Sequence, residues 1–458
     1  MIGAGISGLS CAWKLRRGNL PDGPGTSSAD VTPSVTLHEA NDYAGGHTRT
    51  VLAEVDGIRY PVDTGFLVFN HRTYPRLVAL FAELGVETAA SEMTFSVKLT
   101  GRGTRAIEWA GTDLNSVFIQ RRNLVDPRFL RMLADLLRFN RQTMAIAQNA
   151  AQNDSRALDT WTLGEFLDAH RYSDVFRDWY LLPMAAAIWS CSTAQMREFP
   201  LSTFVRFCAN HGLLQVTDRP QWYTVKGGAR NYVGRLLESL SDVPNVRLGE
   251  PALGVARVLS NGASKVAVRS ARGTALYDHV VLACHSDQSL ALLEGVERDE
   301  RALLSAVRYQ QNRAILHTDA GVLPSRRGAW AAWNYQCDIK SSAPADRAVC
   351  VHYLINKLQP VPFERPVIVS LNPTRPIESS TILGDFDYAH PVFDQCAINA
   401  QRRLPDIQGR GNVWYCGAWT GYGFHEDGLK SGLDVAEAIK ARRVCGDRPT
   451  TAEARLAA

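Results

Sequence analysis

Apolar residues fall at helical spacing from Leu9 to Arg17, where Leu9, Ala12, Trp13 and Leu15 form one face and Lys14, Arg16 and Arg17 the other. Val35 to Ala40 predicts a short strand that ends in an acid, Glu39. Tyr60 to Phe66 predicts another strand, running into a glycine turn, and Leu77 to Leu84 a helix stopped by Gly85. Pro127 to Ala150 predicts a long amphipathic helix with Phe129, Leu130, Leu133, Leu136 and Leu137 on one side. Trp161 to Ser192 contains the apolar run Tyr180 to Trp189. Most of it reads as core, with Met184, Ile188 and Trp189 as candidates to line an apolar cavity.

Beyond the helical middle the period changes. A glycine pair, Gly227-Gly228, precedes a helix from Tyr232 to Leu240, followed by strands at Val246 to Leu248, around Val255, at Lys265 to Arg269 and at Asp278 to Ala283. Residues 305–390 are strand-rich, with runs at Ala314, Val349 and Val367 that suggest an antiparallel sheet. Val413 to Cys416 is a last strand, followed by a glycine-rich loop and a helix through Val435, Ala436 and Ile439. Residues 18–34 read as an exposed loop rich in Gly, Pro, Ser and Asp, and the chain reads as frayed from about Arg448.

Composition narrows the classes without choosing among them. With 458 residues and a net charge of +4 the chain can bury a large core and makes no case for nucleic acid. The nine cysteines form no C-x-x-C pair, which points to reduced thiols and a cytoplasmic setting. No apolar stretch is long enough to span a bilayer, and peripheral contact with a membrane is left open.

The candidate chemistry starts at the first residues. Gly3, Gly5 and Gly8 spell G-x-G-x-x-G, with Ile6 and Ser7 between them. In a dinucleotide-binding turn such glycines allow a tight bend, close approach of a pyrophosphate and tight helix–strand packing. A carboxylate closing the second strand binds a ribose, and Glu39, followed by Ala40, stands 31 residues beyond Gly8. The usual gap is about 20 residues, and the 18–34 loop accounts for the excess. Gly45-Gly46-His47-Thr48-Arg49 lets the backbone pass a ligand and supplies a paired donor for phosphate. Far away, Gly417 to Gly432 carries a second glycine-rich helix start, more than a mononucleotide needs. Its positive dipole end suits the pyrimidine edge of a flavin. Only Met1 and Ile2 precede the first glycine, so the natural chain is expected to start earlier. These alternations predict an α/β fold, a Rossmann-like nucleotide-binding domain from residues 1–85, 215–300 and 395–458, with an inserted α+β substrate domain from 86–214 and 301–394.

Taken together, Gly3 to Gly8, Glu39, Gly45 to Arg49, Lys226-Gly-Gly-Ala-Arg-Asn-Tyr232 and Gly417 to Gly432 resemble the flavin-containing amine oxidase and phytoene desaturase superfamily. More narrowly they are similar to a group of NAD/FAD-binding oxidoreductases within it, whose flavour also shows in Leu371-Asn-Pro373 and Gly421-Tyr-Gly-Phe-His-Glu-Asp-Gly428. The resemblance implies an amine oxidase type of FAD-binding domain. It places Gly3, Gly5, Ile6, Ser7 and Gly8 at the pyrophosphate, Glu39 and Ala40 at the adenosine ribose, and Val255 near the adenine. It places Gly45, Gly46, His47, Thr48 and Arg49, with Asp63 and Gly65, along the diphosphate and ribityl. Gly417, Gly423, Phe424, His425, Glu426, Asp427 and Gly428 would border the isoalloxazine. Many relatives carry an acid after the glycine equivalent to Gly417, whereas this chain has Ala418.

No catalytic side chain stands out. His425 and Glu426 could exchange protons beside the ring or simply cap the helix that begins there. Lys226 sits beside glycines, where a solvent role competes with a catalytic one. The histidines have no metal-ligand spacing, so no metal is expected. The reading is an FAD-dependent oxidoreductase that oxidises or desaturates an apolar, lipid-like substrate. The alternatives are a peroxide-producing amine oxidase, an NAD-dependent dehydrogenase, or a flavin- or nucleotide-binding protein without catalysis.

Overall fold

The computed structural model describes residues 1–16, 33–100, 106–152, 161–214, 219–240, 246–338 and 349–445. The loop expected at 18–34 and the C-terminal fraying fall almost wholly outside these residues. The chain forms two compact units, one from Met1–Gly46, Tyr232–Ala306 and Ala400–Ala458, the other from His47–Asn231 and Val307–Asn399. Residues 47–85 and 215–231 therefore sit in the second unit, where side-chain bonds around Asp63 hold them.

The first unit is built on parallel strand pairs. Leu37–His38 pairs with Val246–Arg247, and Val280–Leu282 with Val413–Tyr415. Ile2 bridges both pairs in parallel, to His38 on one side and Leu282 on the other. Its N–H donates to the Val281 carbonyl at 2.9 Å, and the Gly3 N–H to the His38 carbonyl at 2.8 Å. Ile2 and Gly3 thus run between the two pairs. The first helix, Ile6–Arg16, begins directly after Gly5, and Leu9 and Ala12 are fully buried under it. A second, antiparallel layer runs Gly273–Tyr277, Ala263–Ser270, Ala252–Ser260. Leu293–Glu294 adds to it in parallel.

In the second unit a sheet of seven described strands takes the order Ile382–Val392, Arg308–His317, Ile368–Leu371, Cys350–Leu354, Trp333–Asp338, Phe95–Thr100, Ile107–Ala110. The expected antiparallel runs pair as such, whereas Phe95–Thr100 joins Trp333–Asp338 in parallel. Helices cover this unit through rings. Phe139 of the long helix Pro127–Gln152 contacts Phe166, Tyr172, Phe176 and Phe204, and Phe129 contacts the strand residue Trp109. Trp189, a candidate cavity residue, is instead core: it is buried against the rings of Phe199 and Phe207 at 4.7 and 4.6 Å. Met184 and Ile188 of the same helix are half-buried.

Candidate functional site

In the first unit the glycines divide by task. Gly3 has φ +104°, and a Cβ there would lie 2.6 Å from the Ala283 carbonyl oxygen. At Gly8 a Cβ would overlap the Gly3 carbonyl oxygen at 2.0 Å, so this glycine closes helix on turn. Gly5 differs: a Cβ there would meet nothing within 4 Å. It precedes a helix with no acid in its first turn, so the positive dipole end lies beside Gly5 with no carboxylate of its own. Gly45 closes the far side, donating its N–H to the Ala4 carbonyl at 2.8 Å, while Gly46, at φ +58°, passes close to Gly5.

Glu39 is buried where the strand Leu37–His38 ends. Its Oε2 accepts the Ala4 N–H at 2.8 Å, and its Oε1 accepts from the Asn41 backbone and side chain at 2.9 Å each. A carboxylate offers about four acceptor positions, so Glu39 is held in place and still keeps capacity for a hydroxyl. Ala40 beside it is exposed. Val255 is buried in mid-strand between Val268 and Leu293.

The last helix, His425–Cys445, starts earlier than the glycine spacing suggests. Gly428 was expected to expose its N–H at the helix start, but that N–H is spent on the Phe424 carbonyl at 3.1 Å. The first turn belongs to His425, Glu426 and Asp427, two of them acids. Gly428 serves packing: a Cβ there would lie 2.9 Å from Ile6 Cγ2, and one at Gly432 would lie 2.2 Å from the Ser7 carbonyl oxygen. The capping role weighed for His425 and Glu426 falls to Asp427, whose Oδ2 accepts the Phe424 N–H at 3.0 Å. Burial raises the Asp427 carboxyl to about 6. His425 Nε2 lies 2.6 Å from Tyr232 Oη, a fully buried phenol. The sequence pointed at both segments separately and offered no sign that they meet. Gly417 is tied to this helix by its N–H, which donates to Ser431 Oγ at 2.9 Å.

In the second unit Asp63 is 1% exposed. Its carboxylate accepts the Ala229 N–H at 2.9 and 3.0 Å and the Gln359 amide at 2.7 Å, together with the Thr50 hydroxyl. The bond from the Ala229 N–H clips the Gly227-Gly228 turn to the hairpin Thr50–Val55 and Ile58–Asp63. Burial lifts the carboxyl to about 7. Asp63 was expected along the cofactor, but its acceptor capacity is spent within the unit. Gly65 likewise serves packing, since a Cβ there would lie 2.1 Å from the His47 carbonyl oxygen. Lys226 reaches Glu87 at 3.0 Å, both exposed. Arg49 lies over the Phe386 ring at 4.6 Å, and Thr48 is buried. His47 has the rings of Tyr388 and His390 at 5.1 and 5.2 Å, and Tyr388 Oη is 2.7 Å from Thr64 Oγ1. That ring cluster escaped the sequence reading because its members are separated by more than 300 residues.

Residues 6–363 match the family described as flavin containing amine oxidoreductase. The chain belongs to this family. It is an FAD-dependent oxidoreductase, which removes the nicotinamide and non-catalytic alternatives. Among curated proteins none matches. Solved structures share the fold over 96% of the chain. Wild-type putrescine oxidase bound to putrescine has a TM-score of 0.65 at 16% identity, with 98% of its chain covered. Cyclohexylamine oxidase from Brevibacterium oxydans has 0.61 at 17%, with 98% covered. A fatty acid isomerase from P. acnes that produces CLA has 0.62 at 15%, with 97% covered.

The first unit of this flavin amine oxidase-family enzyme has the donor set that FAD requires. The acid-free helix start behind Gly5 suits a pyrophosphate and the oriented Glu39 carboxylate suits ribose hydroxyls. Among the described residues no group of three His, Cys, Asp or Glu side chains could hold a metal ion, and no helix is long and apolar enough to cross a membrane.

Proposed function

We propose that the enzyme oxidises or desaturates an apolar organic substrate at a C–H bond. FAD, when bound, supplies the hydride acceptor at N5. In this reading the first unit holds the cofactor: the N–H groups after Gly5 take the pyrophosphate, Glu39 and Ala40 the adenosine ribose, and the strand around Val255 the adenine. The turn from Gly417 through Gly423, Phe424, His425 and Glu426 borders the isoalloxazine, with Tyr232 fixing the His425 ring.

The observation that carries the substrate class lies in the second unit. The apolar helix Leu182–Trp189 packs on the strand Ile382–Val392. Half-buried Met184 and Ile188 belong to that helix, and Tyr388 and His390, gathered beside His47, to the strand. Apolar side chains beside a few convergent polar rings suit an apolar molecule with one polar end. An amine remains the second reading, supported by the family description and by neighbours named for putrescine and cyclohexylamine.

Anaerobic bleaching of the flavin absorbance separates the two. Reduction by unsaturated lipid-like compounds, with no peroxide released from an amine panel, supports the first reading. Rapid peroxide release from amines overturns it.

A further inference from the structure

The long helix Pro127–Gln152 does not bury the side that its sequence predicts. Phe129, Met132 and Phe139 are fully buried, whereas Leu130 and Leu137 are 43% and 56% exposed. The segment leading into the helix is more open still. Leu114 is 78% exposed, Leu124 48% and Val125 80%.

These residues fall within one stretch of the chain, 114–137. Leu114 opens the short helix Leu114–Val117, and Leu124 ends the turn Arg121–Leu124. The Phe118 ring packs 5.9 Å from Phe129 and so ties that segment to the long helix. Between the apolar residues stand Arg121, Arg122, Arg128 and Arg131, all exposed. The acids of the stretch are turned to local work: Asp113 accepts the Ser116 N–H at 2.7 Å, and Asp126 the Arg128 N–H at 2.9 Å. Buried Asp135, bonded by Ser173, pairs with Arg131 at 3.2 Å and Arg138 at 3.1 Å, and Asp126 pairs with Arg128 at 3.6 Å, which leaves Arg121 and Arg122 to carry the charge of this face.

We propose that this face docks peripherally on an anionic lipid surface. Exposed aliphatic side chains gain by leaving water for the headgroup boundary, and interleaved arginines gain from lipid phosphates. A second copy of the chain fits worse. A two-fold contact would set the patch against itself, bringing the arginines of one copy onto those of the other. The surface is independent of the substrate reading.

The test is co-sedimentation of the full chain, with its flavin, on vesicles of phosphatidylcholine alone or mixed equally with phosphatidylglycerol. Binding is expected only to the mixed vesicles, weakening as salt rises. Each arginine near such a surface contributes about 1 kcal/mol, so Arg121→Gln with Arg122→Gln should weaken partitioning about 25-fold. Leu114→Ser with Val125→Ser should weaken it at least about tenfold. Because these side chains are exposed, the melting midpoint and flavin absorbance of each variant should match the parent. No binding, equal binding to phosphatidylcholine, or undiminished binding of both variants overturns the proposal. So does a concentration-dependent dimer that Val125→Ser dissolves.

Discussion

Glu39 and Asp63 look alike in the sequence, each an acid closing a short strand near glycines, yet the two regions use them oppositely. Glu39 is oriented by the Ala4 and Asn41 donors and keeps acceptor capacity toward the open space before Gly5. Asp63 is saturated by Ala229, Gln359 and Thr50 and sealed from water. The first is built to meet a ligand, the second to close a turn. A carboxylate's place in a motif does not decide between these roles, nor does the number of donors, three at each; at Asp63 the Ala229 N–H spans both oxygens, whereas Glu39 keeps one acceptor position open.

The comparison breaks most visibly at Asp63. Asp63→Ala leaves the Ala229 N–H and the Gln359 amide without an acceptor in a dry site, and should cost about 3–5 kcal/mol in denaturant unfolding. Its titration adds a sign. The folded-state carboxyl is raised from 3.8 to about 7, so its contribution is full below pH ~4 and is lost as pH rises through about 7. Parent minus Asp63→Asn stability should therefore fall across that window by a few kcal/mol, at about 1.4 kcal/mol per pKa unit. The subtraction matters because buried His38, His317 and His352 and half-buried His211, all lowered mainly by desolvation, push the other way below their unfolded pKa. A flat difference would mean that Asp63 is charged throughout.

Glu39→Ala should do the reverse of Asp63→Ala. Losing a charged acceptor costs about 1.5–3 kcal/mol of binding, a ten- to hundredfold weaker hold on FAD by equilibrium dialysis. Unfolding of the flavin-free protein should change by less than the Asp63→Ala effect. Gly228→Ala sharpens the structural side: at φ +92° its Cβ would press on Thr50 Cγ2 at 2.5 Å. A loss of about 1–3 kcal/mol in stability is expected, with FAD affinity unchanged. The smallest effect is expected for Tyr232→Phe. Removing the bond to His425 should cost about 1 kcal/mol, and should alter the pH dependence of the flavin spectrum if His425 borders the ring.

Residues close in sequence were the readable ones. Gly3, Gly5 and Gly8, the helix after them and the strand before Glu39 follow from local rules of turn, period and cap. What escaped depends on partners hundreds of residues apart. Phe95–Thr100 alternates weakly and gains its place only by pairing with Trp333–Asp338. Leu130 and Leu137 share helical spacing with buried neighbours, and periodicity cannot tell which side of a wide apolar stripe meets the core. The start of the last helix moved to His425 because Asp427, three residues beyond Phe424, reaches back to accept the Phe424 N–H. Gly428 pointed later because its need for a small side chain comes from Ile6 and Ser7.

The close fit of Gly432 on Ser7, and the bridge from Ile2 to Leu282 beside Val413–Tyr415, also set an order of events during synthesis. The glycine turn and the first helix wait roughly 400 residues for the last of their packing partners, on the order of 20–80 s at ordinary elongation rates. Until then the first helix lacks the surface that Gly428 and Gly432 supply. The second unit's long hairpin of Arg308–His317 with Ile382–Val392 can be complete by that time. The glycine turn is thus among the last parts of the molecule to be completed, and a nascent chain stalled before residue 413 would leave the side of the first helix that meets Gly428 and Gly432 open to chaperones and proteases.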